Sequence, residues 1–418
     1  MTDQRSHDPA DAIVADQYEA YPYPARDASD EAKRLVVGSP SHLAEIDHWV
    51  FGARRDPARP LNALIAGGGT GDACVMLAAQ LARAGRPGRV TYLDRSVAAA
   101  GIARKRVAAR GLANVTFVQG SILDLPALGL GPFDYIDCCG VLHHLPDPAA
   151  GLAALVAVLA PGGGIGLMVY APHGRTGVYM AQDALRLLAP PGLKPDARID
   201  AARRFVRGLH PAHWLARNPF VRDHLAGGDA GLVDLLLHAR DRAYTVPDLL
   251  ALLAGAGLAP AAFIEPARYD PATWLADPRL KARAATLPWA ERTALAEAAS
   301  GTMAVHIVYA VRAAEGWTAP DPGDETRIPV LRELDGAALA TQAGTSGRLA
   351  FDLDGVSLPV ALPPLGAAML RRIDGRTPVG AVLAGLAAPP ERARREWRAL
   401  YAGLNAMNRL LLAAPPGG

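Results

Sequence analysis

The 418-residue chain is 50% apolar, 20% charged and formally +2 at pH 7. These values describe a globular protein of two or three domains, with no broad basic field for nucleic acid or anionic lipid. Its three cysteines, Cys74, Cys138 and Cys139, suit neither a disulfide framework nor a zinc site and fit a reducing cytoplasm.

The opening stretch, MTDQRSHDPADAIVADQ, is polar and lacks the charged-then-apolar layout of a secretory signal. The segment DQYEAYPYP at 16–24 reads in two ways: ordered packing on the surface, or a lid whose tyrosines combine apolar cover with hydroxyl handles. From 61 to 170, short β-like runs alternate with helical stretches: LNALIA, then 72–84; RVTYLD, then 96–111; VTFVQG; FDYIDCCG; GLAALVAVLA; GGIGLMVY. That alternation predicts an α/β fold with a doubly wound, mostly parallel sheet. The longest apolar run, Gly151 to Tyr170, is broken by PGGG, so no membrane span is expected. A helical insertion over about 175–245 follows, and AAFIEP and MAVHIVYAVR read as two further strands of the same sheet. After a linker at 314–327, RLAFDLDGVSLPV predicts a hairpin and 364–411 predicts helices. In the last of these, Trp397, Leu400, Tyr401, Leu404, Met407 and Leu411 share one face as core.

The run LIAGGGTGD at 64–72 sits between a strand and a helix. It lacks the third glycine of a dinucleotide fingerprint, because position 72 is Asp72, and it has no Lys-Ser/Thr pair for a phosphate loop. What remains is a tight backbone passage for a ligand without phosphates. Asp94, at the end of strand two, is placed to accept both hydroxyl protons of a ribose. Ser121, Ile122 and Asp124 stand at the tip of strand three, where a purine can lie against Ile122. The strand ends converge at the carboxyl edge of the sheet, and a nucleoside fits there.

In order and spacing, LIAGGGTGD, VTYLDRS, FVQGSILDLP, FDYIDCCGVLHHLPDP and LAPGGGIGLMVY resemble the successive motifs of the class I S-adenosylmethionine-dependent methyltransferases. DQYEAYPYP and LLLHARDRAYTVPDLLALLAGAGL resemble a bacterial branch in which this domain stands beside accessory domains. The resemblance implies S-adenosylmethionine as cofactor. Gly67, Gly68, Gly69 and Gly71 would pass under its methionine part, Asp94 would hold the ribose, Ser121 and Ile122 would frame the adenine, and Gly140 would line the wall beside the sulfonium. Two positions depart from the family pattern: Ile65 and Ser121 stand where acidic residues are usual.

Methyl transfer is an in-line displacement that depends on alignment and exclusion of water. A hydroxyl or protonated amine acceptor also needs a base. The candidate catalytic residues are His143, His144, Tyr18 and Tyr21, with Tyr23 beside them; for each histidine the alternative is a capping or packing role. A metal site at His143, His144 and Asp147 is not expected, because adjacent side chains diverge. The insertion supplies His210, His213, Trp214, Arg217, Phe220 and Arg222 as acceptor-site candidates. The organisation expected is an amino-terminal lid segment (1–60), a methyltransferase domain (61–313) and an accessory domain (327–418). The last weakly resembles small winged-helix modules that bind peptides, through LGAAMLRRIDGRTPVGAVLAGL, which suggests a docked protein partner. The expected acceptor is a small molecule or a peptide-borne group. The alternatives are a non-catalytic cofactor-binding scaffold and, less consistent with Asp72, a nicotinamide oxidoreductase.

Overall fold

The structure, a computed structural model, describes residues 9–417. Seven strands form one sheet: β1 (Leu61–Ala66), β2 (Gly88–Asp94), β3 (Val115–Gln119), β4 (Phe133–Cys139), β5 (Leu159–Tyr170), β6 (Leu258–Ile264) and β7 (Val305–Arg312). Their spatial order is β3-β2-β1-β4-β5-β7-β6. The first five strands run parallel, and β7 lies antiparallel between β5 and β6. The sequence reading is met here, with the two late strands closing the sheet as an antiparallel edge.

Sequence explains why the sheet is covered on both sides. In β1 only Asn62 is exposed, so LNALIA buries both of its faces. On one face Leu64, Ile136, Ile165, Leu167 and Val308 pack with Leu152, Leu155, Leu249 and Leu253. On the other, Ala63, Ile65, Tyr92, Tyr135 and Tyr309 pack with Leu77, Leu81 and Ile46. The covering helices start at defined caps. Ser96 accepts from Ala99 N–H to begin Val97–Ala109, Asp147 accepts from Ala150 N–H to begin Pro148–Ala157, and Thr245 with Asp248 forms a capping box for Val246–Gly255. Strand order reverses between β1 and β4, which opens a crevice at their carboxyl ends.

Between β5 and β6, the helices Val178–Leu188, Pro195–Arg207 and Gly228–Leu236 bury a separate apolar cluster around Val178, Leu185, Leu215 and Leu235. After β7, β8 (Ile328–Leu331) pairs with β11 (Leu410–Ala413), and β9 (Arg348–Leu353) forms a hairpin with β10 (Val356–Ala361). The helix Pro390–Ala406 places Trp397, Leu400, Tyr401 and Leu404 in the core of this unit, as its apolar spacing predicts.

Leu411 is a correction to the sequence reading: it lies in β11, beyond the helix. The helix ends at Ala406, and Asn408 takes a left-handed conformation (φ 55°) held by bonds to Trp49 Nε1 (3.0 Å) and Glu45 (2.8 Å). The chain then turns, and Leu411 packs into the core of the sheet domain. Among the described residues, no helix is long and apolar enough to cross a membrane.

Candidate active site

A cavity of about 680 Å³ opens at the carboxyl ends of β1, β2, β3 and β4, at the point where strand order reverses. Its floor is the glycine loop. Gly67 and Gly68 donate their N–H groups to Leu93 O at 2.8 and 3.0 Å, which ties the end of β1 to the end of β2. A Cβ on Gly67 would meet Val141 Cγ2 at 2.4 Å, so only glycine lets the chain turn this close to the wall after β4. Gly69, at φ 49°, has Tyr23 O 3.0 Å from the point where a Cβ would stand; loop and amino-terminal segment therefore pack backbone against backbone.

Asp94 lines the cavity at the end of β2. Its Oδ2 accepts Gly69 N–H at 2.7 Å and its Oδ1 accepts Ser96 N–H at 2.8 Å. The Arg95 N–H is a third backbone donor to this carboxyl, whose two oxygens together offer about four acceptor sites. Burial pushes this carboxyl above its ordinary range, and the backbone donors pull the other way. Ser121, Ile122 and Gly140 complete the wall, with Ile122 buried and Ser121 capping its own turn by accepting Leu123 N–H at 3.2 Å. All eight residues that the resemblance singled out for the cofactor, Gly67, Gly68, Gly69, Gly71, Asp94, Ser121, Ile122 and Gly140, line this one cavity; Asp124 does not.

The roof comes from the amino terminus. The helix Pro9–Ala20 and the stretch to Arg26 bridge the cavity and are tied down at both sides. Glu19 accepts from Ser96 Oγ at 2.8 Å and Ala98 N–H at 3.1 Å, at the start of the helix Val97–Ala109. Thr70 donates its hydroxyl to Pro24 O at 2.8 Å, and Arg26 pairs with Asp72 at 2.6 Å. Asp72 in turn pairs with buried Arg106, which reaches Glu31 at 2.6 Å. Across the cavity, Tyr18 donates to Asp234 Oδ1 at 2.9 Å and Tyr23 to Asp223 at 3.2 Å.

The four candidate catalytic residues separate. Tyr18 and His144 line the cavity; His143 and Tyr21 do not. His143 is fully buried, its ring 4.0 Å from that of Tyr170, with neither nitrogen bonded among the described residues; burial holds it neutral, well below the usual imidazole range. Tyr21 packs on the apolar cluster of the insertion. His144 Nδ1 lies 2.8 Å from Arg240 O, which can only accept, so Nδ1 carries a proton there, and in the neutral ring the lone pair is then on Nε2. His238 stacks on His144 at 3.8 Å, with the opposite tautomer: it accepts Arg240 N–H at Nδ1 (3.0 Å) and presents its Nε2 proton to Tyr18, 3.2 Å away.

Asp234 is the residue that sequence reading missed. It lines the cavity from the insertion and accepts Tyr18 on one oxygen and Tyr170 on the other, both at 2.9 Å. Ligand atoms of His144, Asp234 and His238 lie within 4.8 Å of one another. That spacing alone would admit a cation. The proton on His238 Nε2 argues against it, because metal-bound histidines donate from the other nitrogen and His238 accepts there. None of His210, His213, Trp214, Arg217, Phe220 and Arg222 lines the cavity; Trp214 is exposed. Asp137 lies deep in the same cavity, accepts Ser41 Oγ at 2.6 Å, and is raised by burial to about 7.

Part of the chain is similar to known proteins. Residues 64–165 match the family described as a methyltransferase domain. An uncharacterized protein of Synechococcus sp. is 32% identical over 268 residues, covering 62% of this chain and 61% of that protein. The chain thus spans about six tenths of that relative. The ubiquinone biosynthesis O-methyltransferase of Aromatoleum aromaticum is 29% identical over 175 residues, 40% of this chain and 73% of that enzyme. PKMT2 from Rickettsia typhi, solved in complex with AdoHcy, shares the fold with a TM-score of 0.58 at 13% identity, over 90% of this chain and 75% of that one. Over residues 64–165 the chain is thus similar to a methyltransferase domain, and it shares its fold with a solved structure that holds AdoHcy.

Proposed function

We propose that this chain moves a methyl group from S-adenosylmethionine to an O, N or C nucleophile of a small-molecule or peptide-borne acceptor. The observation that carries this reading is Asp94. A carboxylate fixed at both oxygens by backbone N–H groups, beside a glycine loop and above Ile122, is built to receive the hydroxyl pair of a ribose. The cavity volume and the glycine-lined floor fit a nucleoside with an amino-acid arm. When bound, S-adenosylmethionine supplies a methyl group activated by a sulfonium.

The chain's own residues then have distinct tasks. The loop Gly67 to Gly71 receives the amino-acid arm, Ser121 and Ile122 frame the base, and the helix Pro9–Ala20 keeps water out. Tyr18 and Tyr170, both on Asp234, shape the end of the cavity next to His144, which presents the Nε2 lone pair to an acceptor proton. We read His143 and Tyr21 as packing residues. Three free cysteines, two of them buried, accord with a reducing compartment, and the unit 327–418 is read as a docking module for a protein partner. The test is calorimetry with S-adenosylhomocysteine on the wild type and on Asp94→Ala, followed by an acceptor screen for a 14 Da mass gain. The scaffold alternative predicts binding without transfer to any acceptor.

A further inference from the structure

A second cavity, of about 450 Å³, lies at the other edge of the sheet, where β1 begins. It is walled by the loop 50–59, the turn Pro161 to Gly163 at the start of β5, and residues 315–318 after β7. Three arginines of one short loop, Arg54, Arg55 and Arg59, face it. The Arg55 side chain is only 8% exposed, yet its Nε has no hydrogen-bond partner, and neither has the buried Nε1 of Trp317 on the opposite wall. Behind Arg55, two further buried guanidinium nitrogens, Nε and Nη2 of Arg86, are equally without acceptors.

Buried donors without acceptors are rare and point to a missing acceptor-rich species. Each carboxylate nearby, Asp56 and Glu315 of the cavity lining included, holds a protein donor. Asp134 pairs with Arg55 at 3.0 Å and accepts Asn62 N–H at 2.9 Å; Asp47 is held by Arg86 at 2.7 Å; Asp56 accepts Ala58 N–H at 2.8 Å; Glu315 accepts Gly162 N–H at 3.0 Å. Burial pushes the Arg55 guanidinium down, and the like charges of Arg59 and Arg86 add to that, with Asp134 opposing. Arg59 is exposed and makes no ion pair among the described residues, so a second charge stands ready at the rim.

We propose that this cavity is a binding site for a phosphate-bearing small molecule, whose oxyanion is taken by Arg55 and Arg59 and whose remainder lies against Trp317. Guanidinium groups match phosphate oxygens in pairs, and an acceptor-only ligand satisfies donors without adding new ones. The site is separate from the methyl-transfer cavity: β1 enters the sheet beside it at Leu61 and ends at Ala66 in the other.

The test is calorimetry of the full chain with sodium pyrophosphate and, separately, sodium phosphate at constant ionic strength, with tryptophan fluorescence recorded in parallel. The expected result is saturable binding of at least one probe with a Kd of about 1 mM or tighter, and a fluorescence change that disappears in Trp317→Phe. Arg59→Gln, an exposed change that leaves packing intact, should weaken binding roughly tenfold. Affinity for S-adenosylhomocysteine should be equal in Arg59→Gln and the wild type, which separates this site from the other. Heats that fail to saturate with either probe, or saturation that Arg59→Gln leaves unchanged, would overturn the proposal.

Discussion

Tyr18, on the amino-terminal helix, donates its hydroxyl to Asp234, on the insertion, across 216 residues of sequence at 2.9 Å. This bond joins the roof of the cavity to its far wall, and Tyr170 secures the same carboxylate from β5. A hydrogen bond to a charged partner contributes about 1.5 to 3 kcal/mol. Tyr18→Phe should therefore raise local opening of residues 13–24 by roughly ten- to a hundredfold while leaving the core strands protected. Hydrogen exchange resolved by peptide reads this directly. Unchanged exchange in the roof would show that Glu19, Thr70 and Arg26 hold it without Tyr18.

A second prediction concerns the ionic chain behind the loop. Arg106 is fully buried and pairs with both Glu31 and Asp72, which also holds Arg26; Arg110 pairs with Glu31 as well. Removing Arg106 leaves carboxylates short of their partner in a dry setting, at a cost of about 3 to 5 kcal/mol. Urea unfolding of Arg106→Ala should show that loss. A change below about 1 kcal/mol would mean that water reaches the carboxylates.

The glycine loop gives a third. Gly69→Val places a branched side chain at φ 49° with Tyr23 O 3.0 Å from its Cβ. The fold should survive, since the contact is with a segment on the cavity rim. The stretch 23–26 must move, and binding of S-adenosylhomocysteine should fall at least tenfold. Normal affinity in this variant would remove the loop from the binding surface.

Much of this was legible in the sequence, for physical reasons that differ by region. LNALIA is short and buried on both faces, so it announces itself without context. The glycine loop is legible because each glycine answers to a close approach. By contrast, Asp234 is masked by its setting, GLVDLLLHAR, which reads as one more helical turn. A lone carboxylate among five buried apolar neighbours was the available signal. Adjacent histidines also defeat sequence reading. His143 and His144 differ by one position, and only the backbone turn after β4 decides which ring enters the cavity. Leu411 fits the helical spacing of its neighbours, but Asn408 ends the helix first through bonds to Glu45 and Trp49, distant in sequence.

Asp137 supplies a prediction about pH. Burial raises its carboxyl to about 7 in the folded chain, against 3.8 in an exposed one, with Ser41 and Cys139 N–H pulling the other way. Because the folded value is the higher one, the stabilisation is fully present below about pH 4 and is lost as pH rises towards 7. The full effect is roughly 4 kcal/mol at most. Asp137→Asn can still accept Ser41 Oγ and should flatten the fall in stability between pH 4 and 7, as measured by denaturant unfolding at several pH values. An equal slope in wild type and variant would assign the pH dependence to other groups.

The most direct test of the central claim is the affinity for S-adenosylhomocysteine, measured by calorimetry on the full chain and on Asp94→Ala. The account predicts one site per chain in the wild type and a loss of at least tenfold in the variant, because the hydroxyl pair of the ribose loses its charged acceptor. Absence of binding to the wild type, or equal affinity in Asp94→Ala, would contradict it.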